Sequence, residues 1–504
     1  MLNLTDFIEY IKPEKLLNVA NPEKIEIKGI SYNSKTVREG EIFVCLVGEK
    51  SDGHNFAKMA EDKGASAIIA QKSIETDLPV LIVKNTQIAL SQASKVFYNF
   101  PSSKMRIIGV TGTNGKTTVT HLIQNIIEKA GKPCGLIGTL GYRYSSKDSY
   151  ISTNHTTPQA PELLKMLDDM HSNGTVYAAM EVSSHSLEQH RVGGCSYISG
   201  VLTNLTQDHL DYHITMDNYF KAKAKLFESL AETKAENKYA VINLDDESGE
   251  RFVSSVPNGI KIITYSIKAQ ADVKASNIIF STTGSSFDCI TPVGNARINL
   301  KMSGTFSVYN ALAALCTGLC EGIALDVCIK ALEETKSVAG RFETVITTPL
   351  TIVDYAHTPD GLENVLNAAR KIVPEGGQLI CLFGCGGDRD TTKRPKMGKI
   401  AEDLSDKVII TSDNPRTEDP QQILTDILSG IKSLNSDKIM VEPDRKLAIE
   451  LAMKIAKDND IIMIAGKGHE DYQILKDKTI HFDDREEAAL AYEKIRKNIV
   501  SETV

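Results

Sequence analysis

The most constraining feature of the sequence is a glycine-rich segment, GVTGTNGKTT, at Gly109–Thr118. Its first two residues end an apolar run, RIIGV at Arg106–Val110, that is typical of a buried strand. It precedes VTHLIQNIIEKAGK, which has the apolar spacing of an amphipathic helix. Glycines between a strand and a helix let backbone N–H groups turn toward phosphate oxygens at the helix N-terminus. The segment therefore predicts a phosphate-binding loop within a parallel α/β domain.

Lys116 in this loop can reach the β- and γ-phosphates of ATP, and the Thr117 hydroxyl can ligate Mg²⁺. A strict Walker A loop has glycine six residues before the lysine, where this chain has Val110. The alternative is a tight turn without a ligand, in which a lysine followed by two threonines would have no purpose. We therefore expect ATP to bind at Gly112, Thr113, Asn114, Gly115, Lys116, Thr117 and Thr118.

Length and charge restrict the rest of the chain. The 504 residues are enough for about three domains. A net charge of −8 argues against nucleic acid or an anionic membrane as the main partner. No apolar run reaches the roughly 18 residues of a membrane span, and nine cysteines without a CxxC pair suit a reducing compartment. We expect a cytoplasmic protein with no membrane insertion.

The order of the patterns predicts an α/β fold with three domains. Short apolar runs alternate with helical stretches up to residue 100, and PSSK at Pro101–Lys104 reads as a linker. After VAGRFE, four strand-like runs each end in a polar or glycine-rich segment, where open parallel sheets bind ligands. The predicted domains are a small N-terminal α/β domain (1–103), a central P-loop ATPase with a parallel sheet (104–338) and a C-terminal Rossmann-like domain (339–504).

Two further segments carry candidate metal ligands. Glu181 directly follows the apolar run VYAAM, which corresponds to the strand-end position of the carboxylate that holds Mg²⁺ in nucleotide sites. His209, in NLTQDHLDYH, is a second candidate ligand. Each signal alone is weak, because a single histidine is more often an ordinary polar residue than a ligand.

The helical segment DNYFKAKAKLFESL, Asp217–Leu230, separates its lysines onto two faces. Lys221 and Lys225 fall on a polar stripe, whereas Lys223 shares a stripe with aromatic and aliphatic residues. A desolvated lysine has a lowered pKa and becomes nucleophilic. The alternative, that Lys223 extends its ammonium to water, is equally compatible with the helix alone.

Together these segments resemble the Mur ligase family, the ATP-dependent amide-forming enzymes of bacterial peptidoglycan synthesis. The motifs occur in the family's order along nearly the whole chain: TGTNGKTT, MEVSSHSL, NLTQDHLDYH, YFKAKAKLF, SGTFSVYNALAA, GRFE, DYAHTPDGL and GCGGDRD. The resemblance implies that the N-terminal domain holds a UDP-sugar and that the C-terminal domain closes over the central ATPase.

The resemblance also implies roles for single residues. Lys116, Glu181, His209 and Lys223 would be catalytic, with Lys223 carbamylated by CO₂. Thr117 and Glu181 would hold one Mg²⁺, and His209 with carbamylated Lys223 a second. Asn310, Arg341, Asp354 and His357 would surround ATP.

The segment NHTTPQAP resembles the part of the family that extends UDP-N-acetylmuramoyl-L-alanyl-D-glutamate by a diamino acid. The residues implied for that UDP-muramoyl dipeptide are Ser34, Thr156, Thr157, Ser183, Gln189 and Arg191. Phosphoryl transfer from ATP to the γ-carboxyl of D-glutamate would give an acyl phosphate, which the amino acid then attacks.

The segment DNPR resembles the signature of family members that add meso-2,6-diaminopimelate. This amino acid differs from lysine by a distal carboxylate, which a planar guanidinium suits. The implied binding residues are Arg389, Asp413, Asn414, Pro415, Arg416, Gly466 and Glu470. The alternative for DNPR is a simple proline-containing turn.

Other functions stay open at this point. The same reaction with L-lysine is the nearest, and a folylpolyglutamate-synthetase-like ligase shares the ATPase core. A P-loop switch or motor would instead require a partner protein, and a catalytically inactive binding protein would not need the four catalytic residues. We expect a monomer whose partners are ATP, the UDP-muramoyl dipeptide and diaminopimelate.

Overall fold

The computed structural model describes residues 2–48, 51–153, 155–433 and 436–502, with side chains described up to residue 495. Asn154, the first residue of the NHTTPQAP segment, lies outside them. Three large sheets of five, ten and six strands follow one another along the chain, each with helices. The predicted α/β class is therefore confirmed. In this described part, no helix is long and apolar enough to cross a membrane.

The first sheet has the strand order β1-β5-β4-β3-β2, with only β1 antiparallel to its neighbour. Its strands are β1 Lys15–Leu17, β2 Gly29–Ser31, β3 Glu41–Val44, β4 Ala67–Ala70 and β5 Val80–Ile82. Its helices are α1 Leu4–Ile11, α2 Ala57–Asp62 and α3 Thr86–Phe97. The predicted linker forms a 3₁₀ turn, Pro101–Ser103, and Ser102 Oγ donates to the carbonyl of Gly194 at 3.1 Å.

The second sheet holds the phosphate loop. Its strands are β6 Arg106–Thr111, β7 Cys134–Gly138, β8 Gly141–Arg143, β9 Tyr177–Glu181, β10 Tyr197–Leu202, β11 Tyr239–Asn243, β12 Lys261–Ser266, β13 Val273–Ser281, β14 Gly284–Thr291 and β15 Gly294–Leu300. Its helices are α4 Lys116–Lys129, α5 Ala160–Ser172, α6 Ser184–Glu188, α7 Leu210–His213, α8 Met216–Ser229, α9 Gly249–Ser255, α10 Thr305–Cys320 and α11 Leu325–Glu334.

Seven strands of this sheet, β7, β9, β6, β10, β11, β12 and β13, run parallel as predicted. The antiparallel additions were not predicted from the sequence; they are β8 at one edge and the hairpins β13–β14 and β14–β15 at the other. These hairpins alternate buried and exposed residues, so they lack the continuous apolar runs that revealed the parallel strands.

The third sheet has the order β16-β17-β21-β18-β19-β20, and a separate hairpin pairs β22 with β23. Its strands are β16 Glu343–Thr347, β17 Leu350–Asp354, β18 Leu379–Phe383, β19 Lys407–Ile410, β20 Ile439–Val441 and β21 Ile461–Ala465, and the hairpin strands are β22 Tyr472–Leu475 and β23 Lys478–His481. Its helices are α12 Pro359–Arg370, α13 Lys393–Leu404, α14 Pro420–Leu428, α15 Arg445–Ile455 and α16 Asp484–Glu502.

The four predicted strand-like runs form β17, β18, β19 and β21, which are neighbours and run parallel. Their polar carboxyl-terminal segments therefore meet at one edge of the third sheet, as the sequence predicted.

Helix α8 lies directly on strand β6, because Gly109 leaves no side chain between them. A Cβ at Gly109 would lie 2.9 Å from Leu226 Cδ1 and 2.9 Å from Tyr197 Cε1. This close approach brings Lys223 of α8 beneath the phosphate loop, which begins at the end of β6.

Candidate active site

The phosphate loop is held by residues that follow strand β10. The N–H of Thr113 donates to the carbonyl of Asn204, and the N–H of Asn114 donates to Asn204 Oδ1, both at 2.9 Å. Gly112 has φ +148°, and a Cβ there would lie 1.8 Å from Thr203 Oγ1. Glycine is therefore required for the loop to approach this strand end.

Helix α4 begins at Lys116, whose ammonium turns back over the loop. Lys116 Nζ donates to the carbonyls of Gly112 at 2.9 Å and Thr113 at 2.8 Å. Desolvation lowers its pKa. Thr117 and Thr118 follow as buried residues of α4, and Asn310 of α10 lies against Gly115, where a Cβ would be 2.5 Å from Asn310 Oδ1.

Glu181 lies at the end of β9 and is 1% exposed. Its Oε2 accepts hydrogen bonds from Thr117 Oγ1 and Thr139 Oγ1, each at 3.1 Å, and its Oε1 accepts one from the N–H of Thr139 at 2.9 Å. The structure thus brings together Thr117 and Glu181, two of the predicted metal ligands.

Lys223 is buried beneath the loop and only 1% exposed, so the alternative that its ammonium extends to water is wrong. Its Nζ donates to the carbonyl of Gly112 at 2.8 Å and lies 4.5 Å from the centre of the Tyr219 ring. Desolvation, reinforced by the charge of Lys116, holds its pKa well below the usual value. The charge of Asp208 acts in the opposite direction but does not outweigh the burial, and burial without an ion-pair partner among the described residues favours the neutral amine.

His209 lies beside this lysine, at the residue before α7, with a left-handed backbone (φ +53°). Its Nε2 lies 3.3 Å from Asp208 Oδ2, and its ring is 6.1 Å from that of Tyr219. Desolvation lowers the pKa of His209, although Asp208 acts in the opposite direction. The ring of His185 packs edge-on against it at 4.8 Å.

The third sheet contributes side chains to the same loop. Arg341 NH2 donates to Thr117 Oγ1 at 3.0 Å, and its guanidinium lies over the Tyr355 ring at 4.6 Å. Asp354, at the end of β17, accepts from the N–H groups of Phe342 and Ala356, and burial raises its pKa to about 6.

His357 follows Asp354 by three residues. Its Nδ1 lies 2.9 Å from the carbonyl of Tyr355, and desolvation lowers its pKa to about 4. This lowered pKa makes the imidazole neutral at pH 7, with Nδ1–H facing the carbonyl.

The residues predicted for the muramoyl peptide surround the start of α6. Thr157 Oγ1 donates to the carbonyl of Glu181 at 2.9 Å, and the N–H of Ser183 donates to the same hydroxyl at 3.2 Å. Arg191 Nε donates to Gln189 Oε1 at 2.9 Å, and its NH1 donates to the carbonyl of Thr157 at 3.3 Å. These four residues therefore form one hydrogen-bonded group.

Thr156 and Ser34 make other contacts. Thr156 Oγ1 accepts from Thr139 Oγ1 at 3.2 Å, which links it to the Glu181 site. Ser34 is buried in the turn after β2. Tyr32 in that turn donates to Glu162 of α5 at 2.9 Å, so the turn contacts the second sheet's layer of helices.

The residues predicted for diaminopimelate lie at the shared edge of the third sheet. A Cβ at Gly386 would lie 2.9 Å from Arg416 NH1 and 3.9 Å from Arg389 Cγ, so the two arginines flank this glycine. Arg416 NH1 donates to the carbonyl of Gly387 at 2.8 Å, and Gly387 in turn lies against the carbonyl of Pro415.

Two carboxylates face each other across the same edge. Glu470 Oε2 accepts from Asn414 Nδ2 at 2.8 Å and from Lys467 Nζ at 3.3 Å. Lys467 Nζ also lies 3.8 Å from Asp413 Oδ1. Burial, together with Asp413, raises the pKa of Glu470. Gly466 lies beside Asp413, where a Cβ would be 3.6 Å from its Oδ2.

Several residues of the site were missed by the sequence analysis. Thr139 binds Glu181 through two hydrogen bonds, and Lys467, which is fully buried, lies between the two carboxylates. Asp360 of α12 accepts from Asn114 Nδ2 at 2.7 Å and from Thr206 Oγ1 at 3.1 Å, and so joins the third sheet to the phosphate loop. The signals for Lys467 and Asp360 were their positions within GKGHE (Gly466–Glu470) and DYAHTPDGL (Asp354–Leu362); Thr139 gave none.

Three family models match consecutive parts of the chain. They are described as Mur ligase family, catalytic domain (residues 26–102), Mur ligase middle domain (residues 110–318) and Mur ligase, glutamate ligase domain (residues 340–468).

Curated relatives and solved structures agree with these matches. Two relatives are named UDP-N-acetylmuramoyl-L-alanyl-D-glutamate--2,6-diaminopimelate ligase. The one from Clostridium botulinum is 48% identical over 92% of this chain and 94% of its own length. The one from Bacillus velezensis is 44% identical over 98% of this chain and 100% of its own length. A solved structure carrying that name is 34% identical, with a TM-score of 0.70 over 97% of this chain and 99% of its own.

Proposed function

The chain belongs to the Mur ligase family, and we propose that its site joins 2,6-diaminopimelate to UDP-N-acetylmuramoyl-L-alanyl-D-glutamate at the expense of ATP. The observation that carries this function is the 48% identity, over 92% of the chain, to a relative named for that reaction. The resemblance found in the sequence is thus confirmed. The family and the phosphate loop together make it an ATP-dependent ligase of peptidoglycan precursor synthesis.

The reaction needs an activated carboxyl group, because a carboxylate is a poor electrophile. The γ-carboxylate oxygen of D-glutamate attacks the γ-phosphorus of ATP, and ADP leaves. The amine of diaminopimelate then attacks the carbonyl carbon of the acyl phosphate and forms a tetrahedral intermediate. Collapse of this intermediate expels inorganic phosphate, while the amine loses a proton, which leaves the amide.

Lys116 and Arg341 are the cations placed to stabilise phosphoryl transfer. Lys116 donates hydrogen bonds to the carbonyls of Gly112 and Thr113 in the phosphate loop. Arg341 donates one to Thr117 Oγ1 at 3.0 Å. In the ATP complex we propose that Lys116 exchanges these carbonyls for the β- and γ-phosphates. Gly112, Thr113, Asn114, Gly115 and Thr118 complete the loop, and Asn310, Asp354 and His357 contact the remainder of the nucleotide.

The donor set beneath the loop fits Mg²⁺. Thr117 and Glu181 offer oxygen atoms 3.1 Å apart, and magnesium in nucleotide sites takes one or two protein oxygens together with phosphates and water. Bound Mg²⁺ would neutralise charge on the phosphoryl oxygens.

Lys223 fits a carbamate, which we propose it forms with CO₂. The reaction requires an uncharged amine, and burial without a carboxylate partner favours that form. The neutral nitrogen bonds to the carbon of CO₂ and releases one proton, which converts a buried uncharged amine into a carbamate anion. That anion and His209 would hold a second Mg²⁺.

The muramoyl dipeptide would bind at the group formed by Thr156, Thr157, Ser183, Gln189 and Arg191, with Ser34 contacting its UDP-sugar end. Arg191 suits this anionic substrate, because its guanidinium is held by the neutral Gln189 amide and the carbonyl of Thr157. Thr157 also binds the carbonyl of Glu181, which couples the peptide site to the ATP site.

Diaminopimelate would bind at the edge of the third sheet. Arg416 and Arg389 flank Gly386 and suit the distal carboxylate, while Asp413 and Glu470 suit the distal ammonium. Gly466, Asn414 and Pro415 shape the site around them. L-Lysine has no distal carboxylate, so we propose that the two arginines select meso-diaminopimelate over lysine.

The hydrogen bonds of Arg341 and Asp360 to the phosphate loop support domain closure during catalysis. We propose domains at 1–103, 104–338 and 339–504, and a monomer that works in the cytoplasm. Closure would keep water from the acyl phosphate.

An assay of ADP release tests the proposed function. Purified protein with ATP and Mg²⁺ should release one ADP per amide formed, and only when the UDP-muramoyl dipeptide and diaminopimelate are both present. ADP release without the dipeptide, or stimulated by a protein partner instead, would contradict it and favour the switch or motor.

A further inference from the structure

The hairpin β22–β23 contacts the segment Asp413–Arg416 through both side-chain and backbone hydrogen bonds. Gln473 Nε2 donates to the carbonyl of Asp413 at 2.7 Å, and the N–H of Ile474 donates to Asn414 Oδ1 at 2.9 Å. The N–H of Arg416 donates to the carbonyl of Ile474 at 3.1 Å, and the N–H of Lys476 donates to the carbonyl of Arg416 at 2.9 Å. One short stretch of chain thus holds three residues of the DNPR segment.

The backbone of this segment needs such support. Arg416 has φ +52°, a left-handed conformation that residues with a Cβ adopt only at a steric cost. Two backbone hydrogen bonds to the hairpin offset that cost. The direction of the Arg416 side chain therefore depends on the hairpin.

Gln473 is the side chain that joins the hairpin to the first residue of the segment. It is 6% exposed and satisfies a buried backbone carbonyl, that of Asp413. Asp413 is held on its other side by Lys467, whose Nζ lies 3.8 Å from Asp413 Oδ1 and also hydrogen-bonds to the carbonyl of Tyr472 in the same hairpin. Loss of the Gln473 amide would leave this carbonyl without its donor and loosen the Asp413 end of the segment, while the hydrogen bonds to Asn414 and Arg416 remain.

We propose that Gln473 is a positioning residue for amino-acid specificity, which acts by fixing Asp413, and through it the segment that carries Arg416, in the orientation that binds the distal end of diaminopimelate. This inference rests on the proposed function, because it assumes that these two residues bind diaminopimelate. Gln473 itself touches no substrate in this account. Its effect should therefore appear in the binding of one substrate only.

The test compares Gln473→Met, which keeps the side-chain length but removes the donor, with Thr479→Ala on the exposed strand β23. Gln473→Met should raise the KM for meso-diaminopimelate about tenfold, the effect of one buried hydrogen bond. The KM values for ATP and the UDP-muramoyl dipeptide should stay within about twofold, and the preference over L-lysine should fall. Thr479→Ala should match the wild type. An unchanged KM for diaminopimelate, or equal changes for all three substrates, would overturn the inference.

Hydrogen exchange on the wild-type protein gives a second readout that does not depend on a variant. Saturating meso-diaminopimelate should slow exchange of the Ile474 and Lys476 amides, which donate to the DNPR segment. Unchanged exchange would count against the inference. If the wild type itself shows no diaminopimelate-dependent ADP release, the proposed function fails. If the wild type shows it and Gln473→Met behaves identically, only the role of Gln473 fails.

Discussion

Replacing Lys223 with methionine should remove ligase activity without destabilising the protein. Lys223 is 1% exposed, its hydrogen-bond partner is the carbonyl of Gly112, and Lys116 donates to that same carbonyl at 2.9 Å. Methionine has a similar length and no charge to desolvate. Losing the hydrogen bond costs about 1 kcal/mol, whereas removing a buried amine that has no ion-pair partner in the described part of the chain gains about 1–3 kcal/mol. The net free energy of unfolding should be equal or higher by up to about 2 kcal/mol.

Activity should fall steeply in the same variant. A group that stabilises charge at phosphoryl transfer contributes about 3–4 kcal/mol, so the rate of ADP release should drop about 100- to 1,000-fold. The matched control is Lys225→Met on the same helix, whose ammonium pairs with Glu188 at 2.6 Å near the surface. That variant should lose less than about 1 kcal/mol and keep its activity.

The dependence of stability on pH gives a third readout, measured without CO₂. Because burial lowers the pKa of Lys223, the unfolded chain binds one more proton than the folded protein between the folded pKa and about 10.4. Within that window wild-type stability should rise with pH by about 1.4 kcal/mol per unit relative to Lys223→Met. A variant that keeps more than a tenth of its activity, or that loses about 3 kcal/mol of stability, would refute the reasoning.

Three further substitutions test other parts of the structure. Ile214 is 76% exposed and has φ +68°, in a γ-turn where the N–H of Thr215 donates to the carbonyl of His213. Glycine adopts this backbone conformation without strain, so Ile214→Gly should raise the free energy of unfolding by about 1 kcal/mol; a lower melting temperature would contradict this. Asp484→Ala leaves the buried guanidinium of Arg445 unpaired and should cost about 3–5 kcal/mol in denaturant unfolding; a loss below about 1 kcal/mol would contradict this. Arg416→Met should lower kcat/KM for diaminopimelate about 100-fold with little effect on lysine, and equal losses for both amino acids would contradict its role.

The fold could be predicted from the sequence where the pattern is local. The ends of β17, β18, β19 and β21 were found because each apolar run stops at a polar segment, and parallel strands bring such ends together. The burial of Lys223 was visible as one of two alternatives, since helical periodicity places it among apolar residues. The helix pattern alone could not decide between the two alternatives. The burial of Lys223 also depends on Gly109, which lets α8 pack directly against β6.

Contacts between distant parts of the chain could not be predicted in this way. Asn114 and Asp360 are 246 residues apart, and their hydrogen bond depends on how the second and third sheets pack. The contact of Gln473 with Asp413 spans 60 residues and depends on a hairpin whose strands are short and largely exposed. No periodicity marks either pair, because each is set by tertiary packing.

The most direct test of the account is the rate of ADP release with ATP, Mg²⁺ and the UDP-muramoyl dipeptide, measured in parallel with meso-diaminopimelate, L-lysine and L-ornithine. We expect rapid release with meso-diaminopimelate and a far higher KM for the two amino acids that lack the distal carboxylate. Equal or better turnover with lysine would contradict the role of Arg389 and Arg416 in selecting the substrate.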